Sequence, residues 1–272
     1  ITTLAPSAYN RNIKWETTET FNVGLDFGIF GGRINGNVDA YYRKTSDLLN
    51  NITTPMGNNF SNTVISNVGN MKNMGVEFNL NFIPIEKQDM RWTINVNGTY
   101  QKTEITKLTN DDSTYLGVQT GANMGGTGGY TSLHRVGYAP YTYYLYQQAY
   151  DENGKAIQNV LVDRDGDGSI TEADRYVTGK SITPKFFFGL SSQFTYKKWD
   201  FGFNAHGSFG GYALNRIAMN NSSAFSDDYT KGYINNLSTN VLKTGWTRAI
   251  SNEQKYSDMF LENASFFRMD DI

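Results

Sequence analysis

Phe21-Asn22-Val23-Gly24-Leu25-Asp26-Phe27-Gly28-Ile29 places an apolar side chain at every odd position and a polar residue or glycine at every even one. A period of two belongs to a strand with two unlike faces. Phe30-Gly31-Gly32-Arg33 turns the chain, and Ile34, Gly36, Val38, Ala40 and Tyr42 form a second apolar or small row opposed by Arg33, Asn35, Asn37, Asp39 and Arg43. The two runs predict one long hairpin. Arms of about ten residues or more exceed the five or six usual in soluble sheets and match a tilted crossing of a bilayer.

The alternation recurs at Val76, Phe78, Leu80 and Phe82, at Trp92, Ile94, Val96, Gly98 and Tyr100, and along 186–196 and 199–209. Weaker candidates are 130–137, the tyrosine-rich 141–150 and a final run from 262 to 272. Connections alternate in length: short after Ile29, Ile83, Gly137 and Tyr196, long and polar at 46–74, 102–129, 151–183 and 210–261. Outer-membrane barrels treat the two ends of their sheet in this way, with tight periplasmic turns and extended extracellular loops. Phe27, Phe30, Phe82, Trp92, Tyr196 and Trp199 stand beside the short turns, where an aromatic girdle meets the headgroups. The fold expected is all-β: an antiparallel up-and-down transmembrane barrel present as about nine strands over residues 1–272. The competing architecture is a soluble antiparallel sandwich or solenoid, which buries one face of the same alternation.

A formal charge of −2 without a basic run gives no reason to expect nucleic acid. Only 18% of residues are charged while 14% are aromatic, and 27 are glycine, a balance suited to strands and turns. The mean hydropathy of −0.50 resembles that of a soluble protein, but barrel strands are half polar by construction. Without cysteine, disulfides and thiol chemistry are excluded. The chain opens on Ile1 and closes on Asp270-Asp271-Ile272 within a strand-like run, so it reads as a piece of a longer protein whose first strand has lost its outer neighbour.

One motif carries ligand chemistry. Asp163-Arg164-Asp165-Gly166-Asp167-Gly168-Ser169-Ile170-Thr171-Glu172-Ala173-Asp174 follows the twelve-position calcium loop, with acids at positions 1, 3, 5 and 12 and glycine at 6. Hard oxygen donors at alternate positions converge when the glycine turn folds the loop. The candidate ligands are Asp163, Asp165, Asp167, Ser169 through its carbonyl, Thr171 and Asp174, the last shorter than the usual Glu. A structural calcium ion is therefore expected, with a dissociation constant of about 10⁻⁴–10⁻³ M as in extracellular modules.

Other features carry less. The run from Gly121 to Gly129 lacks the GK[ST] ending of a phosphate loop and reads as a plain loop. His134 and His206 have no metal-ligand spacing, and both are expected to be hydrogen-bonded bystanders. Tyr141, Tyr143, Tyr144 and Tyr146 read as strand or girdle aromatics, the alternative being a platform for sugar rings. No residue here is assigned bond-breaking chemistry.

Several runs resemble the SusC/RagA class of TonB-dependent outer-membrane transporters of Bacteroidota, in its C-terminal barrel region. They are Lys14-Trp15-Glu16-Thr17 before Val23-Gly24-Leu25-Asp26-Phe27, Asp39-Ala40-Tyr41-Tyr42-Arg43-Lys44-Thr45-Ser46-Asp47-Leu48-Leu49, and Asn67-Val68-Gly69-Asn70-Met71-Lys72-Asn73-Met74-Gly75-Val76-Glu77. Asp163 to Gly168 with Asp174-Arg175, Pro184-Lys185, Tyr196-Lys197-Lys198-Trp199-Asp200 and Asn263-Ala264-Ser265-Phe266-Phe267-Arg268 continue it in the family's order. The resemblance implies a barrel of about 22 strands around an N-terminal plug, neither plug nor final strands being in this sequence. It also implies a SusD-like surface lipoprotein as partner, contact with outer-membrane lipid, and import of an oligosaccharide or peptide driven by TonB. The rival functions are a secreted or surface β-rich glycan-binding module or adhesin, and a β-sandwich glycosidase.

Overall fold

The computed structural model describes residues 8–53, 61, 63–109, 116–124, 129–224 and 238–272. Four long antiparallel strands come first: β1 (Thr17–Ile29), β2 (Ile34–Thr53), β3 (Thr63–Lys87) and β4 (Met90–Lys107). The chain then leaves this sheet for β5 (Val118–Asn123), β6 (Tyr130–His134), β7 (Thr142–Leu145), β8 (Gln148–Tyr150), β9 (Ala156–Leu161) and β10 (Tyr176–Ser181). It returns as the hairpin β11 (Phe186–Tyr196) and β12 (Trp199–Phe209). A second excursion holds β13 (Tyr212–Leu214), the short helices α1 (Arg216–Asn220), α2 (Thr239–Thr244) and α3 (Asn252–Lys255), and β14 (Leu261–Asn263), before β15 (Phe266–Asp271).

The main sheet, or wall, has the order β1-β2-β3-β4-β11-β12-β15. Its edge strands β1 and β15 do not pair with each other, so the described residues form an open segment of wall. Register aligns the apolar positions into continuous rows: Phe27, Gly36, Leu80, Val96, Leu190, Ala205 and Met269 stand side by side across seven strands. The neighbouring row on the other face reads Asp26, Asn37, Asn79, Asn97, Gly189 and His206. Water is a poor solvent for the first set, yet Phe21, Val23 and Leu25 are 74%, 77% and 66% exposed. A contiguous apolar face left open on this scale requires a hydrocarbon solvent or a partner.

Glycines in the apolar rows are covered by rings. A Cβ at Gly98 would stand 2.7 Å from the Phe78 ring, and one at Gly207 would stand 2.7 Å from Phe188. Cross-strand register pairs Gly98 with both Phe78 and Phe188, so each ring lies over a neighbour that has no side chain. Phe188 also stacks on Phe209 at 6.0 Å between centroids.

Two expectations need correction. Candidate strands 130–137 and 141–150 are not wall strands, which reduces the wall from about nine to seven: they supply β6, β7 and β8, and β6 and β7 belong to a four-stranded sheet of order β10-β7-β6-β5. All four residues of β7 are buried, so it has no solvent or lipid face to alternate with. Stretch 46–74, expected as a loop, is largely strand, because β2 and β3 continue pairing from Leu48 with Gly69 to Thr53 with Thr63. Polar residues occupy both faces there because these ends are too long for the hydrocarbon layer and project into water. Pro55 and Gly57 of that stretch lie outside the described residues. Short turns still join β1 to β2, β3 to β4 and β11 to β12, all at one end of the wall.

If the apolar rows face lipid, Leu190→Arg should lower wall stability by about 2–4 kcal/mol while Ser191→Arg, on the other face, stays near neutral. Heat-modifiable gel migration of the full-length protein from outer membranes reads this; equal loss of the folded band in both variants would refute the assignment of faces.

Candidate functional site

The two excursions from the wall pack into one lobe. Its core joins Met124, Tyr146 and Leu161 of the first to Met219, Trp246, Tyr256 and Phe260 of the second. Buried amides knit the two across the sequence: Gln254 Nε2 donates to Gln148 Oε1 at 3.0 Å and to the Ile157 carbonyl at 2.9 Å, and Gln254 Oε1 accepts from the Asn159 amide at 2.7 Å. The Asp258 carboxylate accepts from the Gln148 amide at 2.9 Å and from the Tyr176 hydroxyl at 2.6 Å. Burial, followed by the Asp258 contact, raises the Tyr176 pKa.

The acidic loop lies between β9 and β10. Carboxylate oxygens of Asp163, Asp165 and Asp174 lie within 4.8 Å of one another. Backbone amides hold them. Asp163 accepts from Gly166 at 2.6 Å and Gly168 at 2.8 Å, both glycines having the positive φ that this turn requires. Asp174 is fully buried and accepts from the amides of Arg164 at 2.6 Å and Thr171 at 2.8 Å. Those two bonds lower its pKa. At Asp165 the amide of Asp167 pulls the pKa down, but desolvation and the charges of Asp167, Asp174 and Asp163 outweigh it, and the net shift is upward. Three carboxylates held close, one with its ionised form disfavoured by its neighbours, are a donor set that a hard cation would relieve.

Asp167 stands outside this group of three; its Oδ1 accepts from the Ser169 amide at 2.7 Å. The Thr171 hydroxyl is also occupied, capping the 3-10 turn Glu172–Asp174 by accepting from the Ala173 amide at 3.2 Å. Sequence therefore places six candidates on one loop, and the fold brings three of their carboxylates together.

Arg175, next to Asp174, was not singled out for a role by its type or spacing. It is 4% exposed, its guanidinium lies 4.0 Å from the Tyr144 ring centroid, and Nη2 donates to the Tyr144 carbonyl at 2.7 Å and to that of Tyr130. Two consecutive buried side chains thus fasten the end of the loop to β6 and β7. Tyr143, Tyr144 and Tyr146 are buried in the lobe, so they are strand aromatics and not a sugar platform, and they lie away from any girdle. His206 Nδ1 meets Asp270 Oδ2 at 2.7 Å on the polar face of the wall. His134 packs edge-on to Tyr141 at 4.7 Å, but its Nε2 is buried without a partner. That face also bears an open recess of about 670 Å³, lined by Thr20, Tyr41, Arg43, Asn73, Glu77 and Gln101 among others. Of the glycine run, 125–128 lie outside the described residues.

The family model described as "TonB dependent receptor-like, beta-barrel" matches residues 2–248. The TonB-dependent receptor SusC of Bacteroides thetaiotaomicron is 40% identical over 272 residues, covering 99% of this chain and 27% of that protein. The TonB-dependent receptor P3 of Formosa agariphila is 28% identical over 277 residues, with coverage of 97% and 27%. In fold, the chain superimposes on a structure titled as the RagAB peptide transporter with a TM-score of 0.68 at 22% identity, covering 95% of this chain and 28% of that one. The chain thus spans little more than a quarter of the length of the proteins it matches.

Asp174→Ala should leave the amides of Arg164 and Thr171 without acceptors and loosen the loop while the wall stays intact. Hydrogen exchange should then accelerate across 163–176 and remain unchanged in β2 and β3; unchanged exchange in the loop would show that Asp174 does not hold it.

Proposed function

The chain belongs to the TonB-dependent receptor-like β-barrel family, whose members are receptors and transporters rather than enzymes, and from that premise we propose that it is part of the wall and outer lobe of an importer of the Gram-negative outer membrane. The observation that supports this most directly is the seven-stranded wall with one apolar and one polar face, short turns at one end and a folded lobe at the other. In this reading the polar face, with Arg43, Asn73, Glu77 and Gln101 around its recess, lines the passage. Such side chains suit ligands rich in hydroxyl or amide groups, which neutral and charged donors hold by many weak hydrogen bonds. The ligand class proposed is accordingly an oligosaccharide or a peptide, imported with TonB as the source of energy. The relatives' names favour the same pair of classes. The lobe would meet a SusD-like surface lipoprotein.

A calcium ion held by Asp163, Asp165 and Asp174, with Asp167, Thr171 and the Ser169 carbonyl completing the shell, is proposed as a clamp on the lobe. The three converging carboxylates support it. Asp167 would have to exchange its bond from the Ser169 amide for the metal. The ion's chemistry would be charge neutralisation within the loop; the chain's own groups position it through Asp174 and Arg175.

Pull-down of the full-length protein from detergent-solubilised outer membranes should co-isolate a surface lipoprotein, and cells lacking either should fail to take up the same oligosaccharide or peptide. Recovery of the native protein as a soluble species would sink the reading. For the metal, calorimetry of the full-length protein should give calcium heats with a dissociation constant of about 10⁻⁴–10⁻³ M that Asp165→Ala abolishes. Equal heats in both would remove the clamp.

A further inference from the structure

We infer that the short-turn end of the wall carries a binding surface for the phosphate headgroups of anionic phospholipids. The last outward row at this end aligns Lys87, Met90, Tyr196 and Trp199 across four strands. Trp199 is 78% exposed, as suits a ring seated at the headgroup boundary. Lys197 and Lys198 form the turn immediately beyond, and Lys197 Nζ lies 5.3 Å from the centre of the Tyr196 ring. Lys197 has φ of +53°, a hairpin position at which glycine or asparagine is the favoured residue. A cation is therefore kept where backbone geometry alone would select against it.

The acids at this end are placed differently. Glu86 faces Arg91 across the polar face, and Asp200 takes the Thr195 hydroxyl there at 2.8 Å. Asp89 lies in the adjacent turn, its carbonyl accepting from the Lys197 amide at 2.7 Å. None of Lys87, Lys197 and Lys198 has an ion-pair partner among the described residues. At the opposite end the corresponding outward row is charge-balanced, Glu19, Lys44, Lys72 and Glu104, with Lys72 and Glu104 paired at 3.0 Å. Unpaired lysines on a lipid-facing row beside interfacial aromatics attract anionic headgroups. The chemistry that fits is a phosphodiester lipid such as phosphatidylglycerol, at the leaflet reached by the short turns.

The inference rests on the membrane reading, with this end periplasmic. The full-length protein in nanodiscs of phosphatidylethanolamine and phosphatidylglycerol should retain phosphatidylglycerol above its bulk share through delipidation. The combined variant Lys87→Gln, Lys197→Gln, Lys198→Gln should reduce that retention by roughly tenfold or more. About 0.5 M salt should do the same to the unaltered protein, which keeps the test valid if the variant does not fold. Retention at the bulk share, or enrichment that survives both salt and substitution, would overturn it. Lys198→Cys should react with an impermeant maleimide only after the outer membrane is opened. Reaction in intact cells would overturn the orientation and the inference together, whereas protected cysteine without lipid enrichment would overturn the inference alone.

Discussion

In hydrocarbon no backbone amide finds water, so a wall strand must pair along its length with its neighbours. The rest of this structure depends on that constraint. Pairing fixes register, and because side chains alternate with period two, a slip of one residue would carry Leu25, Val38 and Phe78 to the polar face and Asp26, Asp39 and Glu77 to lipid. The glycines add to the specification: Phe78 over Gly98 and Phe188 over Gly207 fit in one register, since a slip would set ring against side chain.

This dependence explains which parts of the fold were legible in the sequence. Phe21 to Ile29, and the runs around Val96, Leu190 and Phe203, announced their faces because two solvents select opposite residue types at adjacent positions. Beyond the membrane both faces meet water and that contrast disappears. Leu48 to Thr53 and Thr63 to Gly69 pair as strand while reading as polar loop, and a bulge near Asp47, at φ of +61°, interrupts their period. Tyr141 to Leu145 failed in the opposite sense. Burial on both sides left a run of tyrosine and leucine with no alternation to separate a lobe strand from a wall strand.

The acidic loop was legible for a different reason. Its contacts are local: amides two to five residues away satisfy Asp163, Asp165 and Asp167. Spacing alone therefore encodes the turn. Its support is not local. Gln148 and Gln254 meet across 106 residues, and Tyr176 meets Asp258 across 82, so nothing in the composition of either segment points to its partner. Arg175 belongs with these, because its acceptors at Tyr130 and Tyr144 are backbone carbonyls that leave no trace in residue type.

How the loop is fastened bears on what an ion there would do. Asp174 and Arg175 are adjacent, one binding the loop's own amides and the other binding β6 and β7, so tension on the loop passes in one residue step to the lobe's sheet. That sheet is joined to the wall through the turn at 135–138, where the Ile105 amide donates to the Tyr138 carbonyl and the Gly137 amide donates to the Ile105 carbonyl, both at 2.9 Å. Tyr143 adds a hydroxyl bond to the Tyr212 carbonyl on the second excursion. A cation drawing Asp163 and Asp165 toward Asp174 would therefore stiffen a continuous hydrogen-bonded path from the loop to the upper end of β4. It would leave the lipid-facing rows untouched, because their register is already fixed by pairing at the other end of the wall.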